Sequence, residues 1–239
     1  MSPRRRRARG RGRLLALGQA LWRRLRWVLL GLVLLPTVLL LLFRFVPPPA
    51  TPLMLIRLAE GEGMDRQWVP LAAIAPSLRM AAIAGEDNRF CEHHGVEWAE
   101  LGSQLRRAAA GGHARGASTI SMQTTKNVLL WPGRDPVRKL IEAALTPQLE
   151  LLWSKRRIME VYLNVAEMGP GLYGAEAAAR RYFHKPAAGL TQHEAALIAA
   201  ALPNPRRWSP ARPTRYLEGR AREIERRVRQ LGPLLDCVR

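Results

Sequence analysis

The chain has 239 residues, enough for one membrane segment and one folded domain of roughly 150–200 residues. Its formal net charge of +19 is uneven, because residues 1–46 hold eleven arginines and no acidic residue. The remaining residues carry a net charge of only +8. More than half of the basicity therefore lies in a terminal tail rather than on a basic domain surface, and we expect no nucleic-acid partner.

The first predicted elements are an arginine-rich cytoplasmic tail at 1–26 and a transmembrane helix at 27–46. Residues 27–43 form an uncharged run of seventeen, and Arg44 can snorkel, which gives about twenty residues or roughly 30 Å of helix. The arginines before it place the N-terminus in the cytoplasm. A cleaved signal peptide is the alternative, but the run is long for one and no small-residue cleavage site follows.

The rest of the chain is predicted to lie across the membrane as one domain. Residues 47–64, which begin with three prolines, are predicted as a linker and membrane-proximal segment, and residues 65–239 as the folded domain. That domain has few strand-like runs, and Gly and Pro occur where helices should end. The predicted class is all-α, with helices over 70–86, 97–110, 119–130, 136–153, 154–165, 173–183, 191–201 and 214–231.

The two cysteines, Cys91 and Cys237, lie far apart in sequence. An extracytoplasmic compartment permits a disulfide, but two cysteines do not make a disulfide framework. We therefore expect both to be unpaired.

The first segment with recognisable chemistry is EDNRFCEHHG at 86–95. Glu86 falls near the end of an apolar helix, where the helix dipole and the apolar surroundings both raise a carboxyl pKa and favour a general base. A surface glutamate at a helix end is the alternative. Asp87 is expected to shape the following loop by hydrogen bonding, and Phe90 and His93 to pack and tether it. The histidines show no HExxH zinc pattern.

The second segment is GASTISMQTTKN at 116–127. Its small residues predict a turn into a helix with Ser118 as the N-cap, and exposed amides at such a start attract phosphate. Gln123 and Lys126 are three residues apart and share a helix face. The alternative is a capped helix with solvated cations.

The third segment, RKLIE at 138–142, places Arg138, Lys139 and Glu142 within about one helical turn. Glu142 could orient the two cations or accept a metal ion or a proton, and a local salt bridge is the alternative. Further along, a predicted amphipathic helix carries Tyr162 and Asn164, which are either structural hydrogen-bonding residues or the floor of a cleft.

The ordered motifs EDxxFxxHxG, GxSTIxxQxxKN, RKxxE and KxxIxExYLN closely resemble those of the family 51 peptidoglycan glycosyltransferases. The resemblance covers residues 65–210, and the stretch at 175–205 is similar as well. Because no transpeptidase domain follows, the chain is most similar to monofunctional members. Glu97 departs from the aspartate usual there but preserves the charge.

That resemblance implies a lysozyme-like, two-lobed helical fold and the polymerisation of lipid II, with release of undecaprenyl pyrophosphate and inversion at the anomeric carbon. Glu86 would be the base and Glu142 the second essential carboxylate. Gly95 would join Asp87, Phe90 and His93 in shaping the loop. The implied substrate-binding residues are Ser118, Thr119, Gln123, Lys126, Asn127, Arg134, Arg138, Lys139, Tyr162 and Asn164.

The resemblance also implies partners and a location. Mg²⁺ or Mn²⁺ could assist the pyrophosphate, and no organic cofactor is expected. Beyond lipid II, the glycan strand and membrane lipid, cell-division or elongation proteins are candidate partners at a bacterial inner membrane, with the catalytic domain in the periplasm. The alternatives are a lysozyme-like lytic transglycosylase, which needs no pyrophosphate-binding cations, and a non-catalytic membrane-anchored scaffold.

Overall fold

The computed structural model describes residues 19, 22–27, 30–31, 33–111, 118–133 and 135–238. The chain divides into two compact units, residues 1–42 and residues 43–239. The described residues of the first unit are helical. Within the described residues, no helix is both long enough and apolar enough to cross a membrane. Residues 28, 29 and 32 of the predicted transmembrane helix lie outside the described residues.

The second unit is built mainly of helices, which confirms the helical class. Each of the eight predicted helices overlaps an observed one. The helices are α1 (Pro52–Ala59), α2 (Pro76–Glu86), α3 (Trp98–Ala109), α4 (Ile120–Leu129), α5 (Pro136–Leu152), α6 (Lys155–Val165), α7 (Ala175–Phe183), α8 (Gln192–Ala201) and α9 (Arg215–Leu231). Short 3-10 turns occupy Leu71–Ala73, Ala187–Gly189 and Gly232–Val238.

Prolines explain two differences from the predicted helices. The helix predicted over 70–86 is split, because Ala75 precedes Pro76 and adopts an extended ψ of 135°, as the clash with a following proline ring requires. Conversely, α1 lies inside the predicted linker. It begins with Pro52, and the Thr51 hydroxyl accepts a hydrogen bond from the Met54 amide at 3.3 Å, which together make a favourable helix start.

A small three-stranded sheet was not predicted. Its strands are β1 (Asp65–Arg66), β2 (Glu167–Gly169) and β3 (Leu172–Tyr173), and β3 pairs in parallel with β1 and antiparallel with β2. Strands of two or three residues are too short to show an alternating pattern. Because β3 ends at Tyr173, the helix predicted from residue 173 begins only at Ala175.

The helices pack in two groups that hold the functional segments. Helix α2 packs against α8 and α9, which also pack against each other, while α4 packs against α5 and α6. Gly85 makes the approach of α9 close, since a Cβ added there would lie 3.2 Å from the Ile224 side chain. The end of α2, which carries Glu86, therefore lies directly against α9.

The prediction of unpaired cysteines is wrong, because Cys91 and Cys237 form a disulfide with a Cα–Cα distance of 5.7 Å. The bond joins the loop after α2 to the 3-10 turn after α9. The buried Arg79 brings that turn to α2 by donating a hydrogen bond to the Val238 carbonyl at 3.0 Å. A separation of 146 residues leaves no local sequence signal for the pairing.

We expect the Cys91→Ser/Cys237→Ser variant to lose stability, because the disulfide restricts a long loop in the unfolded chain. Removing such a bond costs about 2–5 kcal/mol. Thermal unfolding with and without a thiol reductant measures the effect. Reductant should lower the midpoint of the native chain and leave that of the double variant unchanged; a native midpoint insensitive to reductant would contradict a stabilising role.

Candidate active site

Glu86 is the last residue of α2, as the sequence predicted, and its side chain is only 12% exposed. Its Oε2 accepts a hydrogen bond from the Gln123 amide nitrogen at 2.9 Å. Its Oε1 lies 3.8 Å from Nη2 of Arg220. Burial raises the pKa of Glu86, while the Gln123 bond and the charges of Arg220 and Lys126 oppose that rise. The carboxyl group is therefore poised to exchange a proton.

Asp87 and His93 form a buried pair that closes the loop after Glu86. The Nε2 of His93 lies 2.9 Å from Asp87 Oδ2, and its Nδ1 accepts a hydrogen bond from the Gly95 amide at 2.9 Å. The ring therefore carries its proton on Nε2 and donates it to Asp87. Asp87 also accepts a hydrogen bond from the Ile120 amide at 2.9 Å, which fastens the loop to the first residue of α4.

The same loop packs against α5 at Gly95 and against the first residue of α6 at Phe90. Phe90 is fully buried, and the ammonium of Lys155 lies 4.6 Å from its ring centroid. Gly95 has a φ of +98°, and an added Cβ would lie 2.7 Å from Glu150 Cγ. Both the conformation and the space therefore require glycine at this position.

Thr119, not Ser118, caps α4, which corrects the predicted N-cap. The Thr119 hydroxyl accepts a hydrogen bond from the Met122 amide at 3.1 Å and donates one to the Gly95 carbonyl at 2.5 Å. With one hydrogen bond donated and one accepted, Thr119 fixes the start of the helix, and its contact with substrate stays a prediction. Ser118 lies one residue before this cap, and its hydroxyl bonds to Glu142 of the third segment instead.

Glu142 lies at the centre of a buried charge cluster and is 1% exposed. It lies 2.7 Å from Arg138 Nη1 and 2.6 Å from Lys139 Nζ, and it accepts a hydrogen bond from the Ser118 hydroxyl at 3.2 Å. Lys139 also donates to Ser118 at 3.1 Å. Both carboxylate oxygens are thus held by cations, so Glu142 is the counter-ion that orients them.

Lys126 is close enough to both Glu86 and Glu142 for its charge to interact with each of them. Burial lowers the pKa of Lys126, and the positive charges of Arg138 and Lys139 lower it further. The negative charges of Glu142 and Glu86 raise it. Its ammonium therefore interacts electrostatically with both carboxylates.

Tyr162 and Asn164 support the site from α6 and are buried. The Tyr162 hydroxyl donates to the Gln123 side-chain oxygen at 3.4 Å, so it orients the residue that contacts Glu86. The amide of Asn164 exchanges hydrogen bonds with the backbone of Val69 at 2.9 Å in both directions and donates to the Glu160 carbonyl. Both side chains therefore have hydrogen-bonding partners within the protein, and their contact with substrate stays a prediction.

Two cavities adjoin these groups. The larger, which we call the Glu86 cleft, has a volume of about 450 Å³. It is lined by Gly85, Glu86, Asp87, Asn88, Arg89, Glu97, Glu100, Ser118, Thr119, Arg220 and Arg227. A second cavity of about 160 Å³ is bordered by Lys126 and Asn127, together with Arg57, Trp131 and Glu167. Arg134 lies outside the described residues.

Sequence reasoning missed two groups of residues around the site. Arg220 is one of six arginines in α9, and nothing in its spacing distinguishes it from the others. Lys155 and Glu150 form a partly buried ion pair with an N–O distance of 2.7 Å, and Lys155 also donates to the His93 carbonyl at 2.7 Å. Ser121 donates to Glu150 as well. A lysine shortly after a helix end resembles any surface cation in sequence. The sequence pattern therefore does not indicate that Lys155 holds the loop after α2.

This helical scaffold places one largely buried glutamate beside a cleft and a second glutamate between two cations. A family model described as "Transglycosylase" matches residues 54–229, and the chain belongs to that family. Relatives named "Biosynthetic peptidoglycan transglycosylase" match over nearly their whole length. The one from Rhodospirillum centenum is 58% identical, covering 91% of this chain and 96% of the relative.

Two further relatives with the same name extend the comparison. The protein of Caulobacter vibrioides is 48% identical, covering 93% of this chain and 100% of its own length. The protein of Stutzerimonas stutzeri is 47% identical, covering 87% of this chain and 89% of its own length. The similarity therefore extends through the whole domain that carries the site.

Gly95→Ala should destabilise the chain more than Gly61→Ala, which is its matched control. Both glycines have positive φ, +98° and +83°, but only a Cβ at Gly95 meets neighbouring atoms. Each substitution should lose about 1–2 kcal/mol through the backbone conformation, and Gly95→Ala should lose more through the clash with Glu150. Chemical denaturation measures both, and equal losses would contradict the packing described for this loop.

Proposed function

We propose that the chain polymerises lipid II into β-1,4-linked glycan strands, with Glu86 as the general base. As a peptidoglycan glycosyltransferase of cell-wall synthesis, it uses lipid II and the growing glycan strand as substrates. The observation that carries the assignment is the contrast between the two glutamates. Glu86 lines a cleft, and burial raises the pKa of its carboxyl group. Glu142 is instead held by Arg138 and Lys139.

The acceptor is a sugar 4-hydroxyl, which becomes a better nucleophile as it loses its proton. Its oxygen forms the new bond to the anomeric carbon of the donor glycan while the bond from that carbon to the pyrophosphate oxygen breaks. The hydroxyl proton passes to Glu86, and the lipid pyrophosphate leaves with the bonding electrons. A single displacement on an α-linked donor gives a β link with inversion.

The leaving group carries negative charge and needs cations more than it needs a proton. Lys126, Arg138 and Lys139 supply them, and Glu142 fixes the latter two in place. Pre-oriented cations stabilise developing charge without reorganising during the reaction. Gln123, Ser118 and Asn127 offer hydrogen bonds beside them, and Arg134 completes the proposed pyrophosphate-binding set.

The donor set does not fit a resident divalent cation at Glu142. Both of its oxygens already lie within 2.7 Å of cationic nitrogens, and a metal ion would have to displace them. Among the described residues, no group of three or more His, Cys, Asp or Glu side chains could hold a metal ion. The roles proposed for the side chains are therefore derived without a metal ion, and assistance by Mg²⁺ or Mn²⁺ at the pyrophosphate stays a prediction.

The proposed location is the outer face of the bacterial inner membrane, with residues 27–46 as a single-pass anchor and the N-terminus in the cytoplasm. The uncharged run behind an arginine cluster supports it, as does the Cys91–Cys237 disulfide, since such bonds persist in the periplasm. Both substrates carry lipid tails, so a domain held at the membrane meets them directly. Cell-division or elongation proteins are proposed partners.

Glu86→Gln should abolish polymerisation, because a neutral amide cannot accept the hydroxyl proton. Loss of a general base reduces turnover by roughly 10²–10⁴-fold. The measurement is the formation of long glycan strands from purified lipid II. The unfolding midpoint at neutral pH should not fall. Because folding raises the pKa of Glu86, the ionised carboxylate at neutral pH is less favourable in the folded chain than in the unfolded one, and a neutral amide removes that cost.

Lys185→Ala is the control for this assay, because Lys185 pairs with Glu194 on α8 and lies outside the site; its activity should remain unchanged. Sustained strand formation by Glu86→Gln would refute the base assignment. Release of anhydro-muropeptides from sacculi, with no strands from lipid II, would instead show a lytic enzyme.

A further inference from the structure

The C-terminal helix α9 places a guanidinium group against Glu86. Arg220 Nη2 lies 3.8 Å from Glu86 Oε1 and 3.4 Å from the Gly85 carbonyl, to which it donates. Gln123 on α4 binds the other carboxylate oxygen at 2.9 Å. The carboxylate of Glu86 is thus held between two helices, one offering a neutral amide and the other a cation.

Arg220 differs from its neighbours on α9 in its acidic partner. Arg222 pairs with Glu218, and Arg226 and Arg227 pair with Glu223, all on the same helix, although Arg227 also donates to the Ala84 carbonyl of α2 at 3.5 Å. Arg220 instead lies against an acidic residue of α2, Glu86. Its Nε is buried and has no hydrogen-bond partner among the described residues. The same is true of Nε in Arg57 and Arg138, so the feature that distinguishes Arg220 is its approach to Glu86.

We propose that Arg220 is a positioning residue that holds the Glu86 carboxylate in the cleft and favours the ionised form that accepts the acceptor's proton. The inference rests on the proposed role of Glu86 as base. It assigns α9, which lies outside the motifs that identify the family resemblance, a direct part in setting the reactivity of the site.

The groups facing Glu86 come from four helices. Lys126 on α4 and Arg220 on α9 lower its pKa by their charge, and Asp87 at the end of α2 raises it. Tyr162 on α6 also interacts electrostatically with Glu86, and burial raises the pKa of this phenol well above its ordinary value, so it stays neutral. Arg227 lines the same cleft. Because Arg220 opposes the effect of burial, removing it should raise the pKa of Glu86.

The test is the pH profile of kcat/KM for lipid II polymerisation by the full chain carrying Arg220→Met. The acidic limb reports ionisation of the base in the free enzyme. An opposite charge near a carboxyl lowers its pKa by about one unit or more, so the limb should move up by about one pH unit. Rates on the acidic side should then fall roughly tenfold, with a smaller loss at higher pH.

Three matched variants complete the experiment. Arg220→Gln is a second neutral change that keeps a donor for Gly85. Arg220→Lys keeps the charge and should restore the limb toward its original position. Arg222→Met removes one arginine from the same helix, but that side chain is 66% exposed and pairs with Glu218, so the profile should stay unchanged.

The proposal is overturned if the limb does not move in Arg220→Met and Arg220→Gln, or if activity falls equally at every pH, as a structural defect would cause. Unfolding midpoints check that each variant is folded. The result for Glu86→Gln separates the two hypotheses. If Glu86→Gln is inactive and the acidic limb of the Arg220 variants does not move, only the role of Arg220 is refuted. If Glu86→Gln is active, the assignment of Glu86 as the general base is refuted.

Discussion

The buried carboxylate of Asp87 is the contact on which the rest of the site depends. It follows Glu86 directly and accepts hydrogen bonds from His93 in its own loop and from the backbone of Ile120 at the start of α4. One side chain therefore joins the helix group containing α2, α8 and α9 to the group containing α4, α5 and α6. Because an unpaired buried carboxylate would be costly, the fold keeps these partners in place and with them the spacing of the two groups.

Around that joint, the two glutamates are placed in opposite surroundings. Glu86 has a neutral amide at hydrogen-bonding distance and one guanidinium farther away, so burial dominates and raises its pKa. Glu142 has two cations in direct contact. Titratable groups whose environments differ in this way take different chemical roles. These surroundings support the proposed roles, in which Glu86 accepts a proton and Glu142 holds the cations in place.

The sequence predicted the helices well because strong local signals follow their ends, such as Pro132 and Gly133 after α4 and Pro203 after α8. It also placed Glu86 at the end of an apolar helix and put Gln123 and Lys126 on one face. Other features depend on tertiary contacts that leave no local pattern. The Cys91–Cys237 bond and the approach of Arg220 both join the region after α2 to the C-terminus, far away in sequence. The sequence predicted Ser118 as the cap of α4, whereas Thr119 takes that place because its hydroxyl bonds to the Gly95 carbonyl and the Ser118 hydroxyl bonds to Glu142.

The central claim is that folding makes Glu86 a weaker acid than an ordinary glutamate, and the most direct measurement is a ¹³C NMR titration of its carboxyl carbon in the folded chain. Comparison of spectra from the native chain and Glu86→Gln assigns the resonance. The account predicts a midpoint above the ordinary value of about 4.3. A midpoint at or below that value would contradict it.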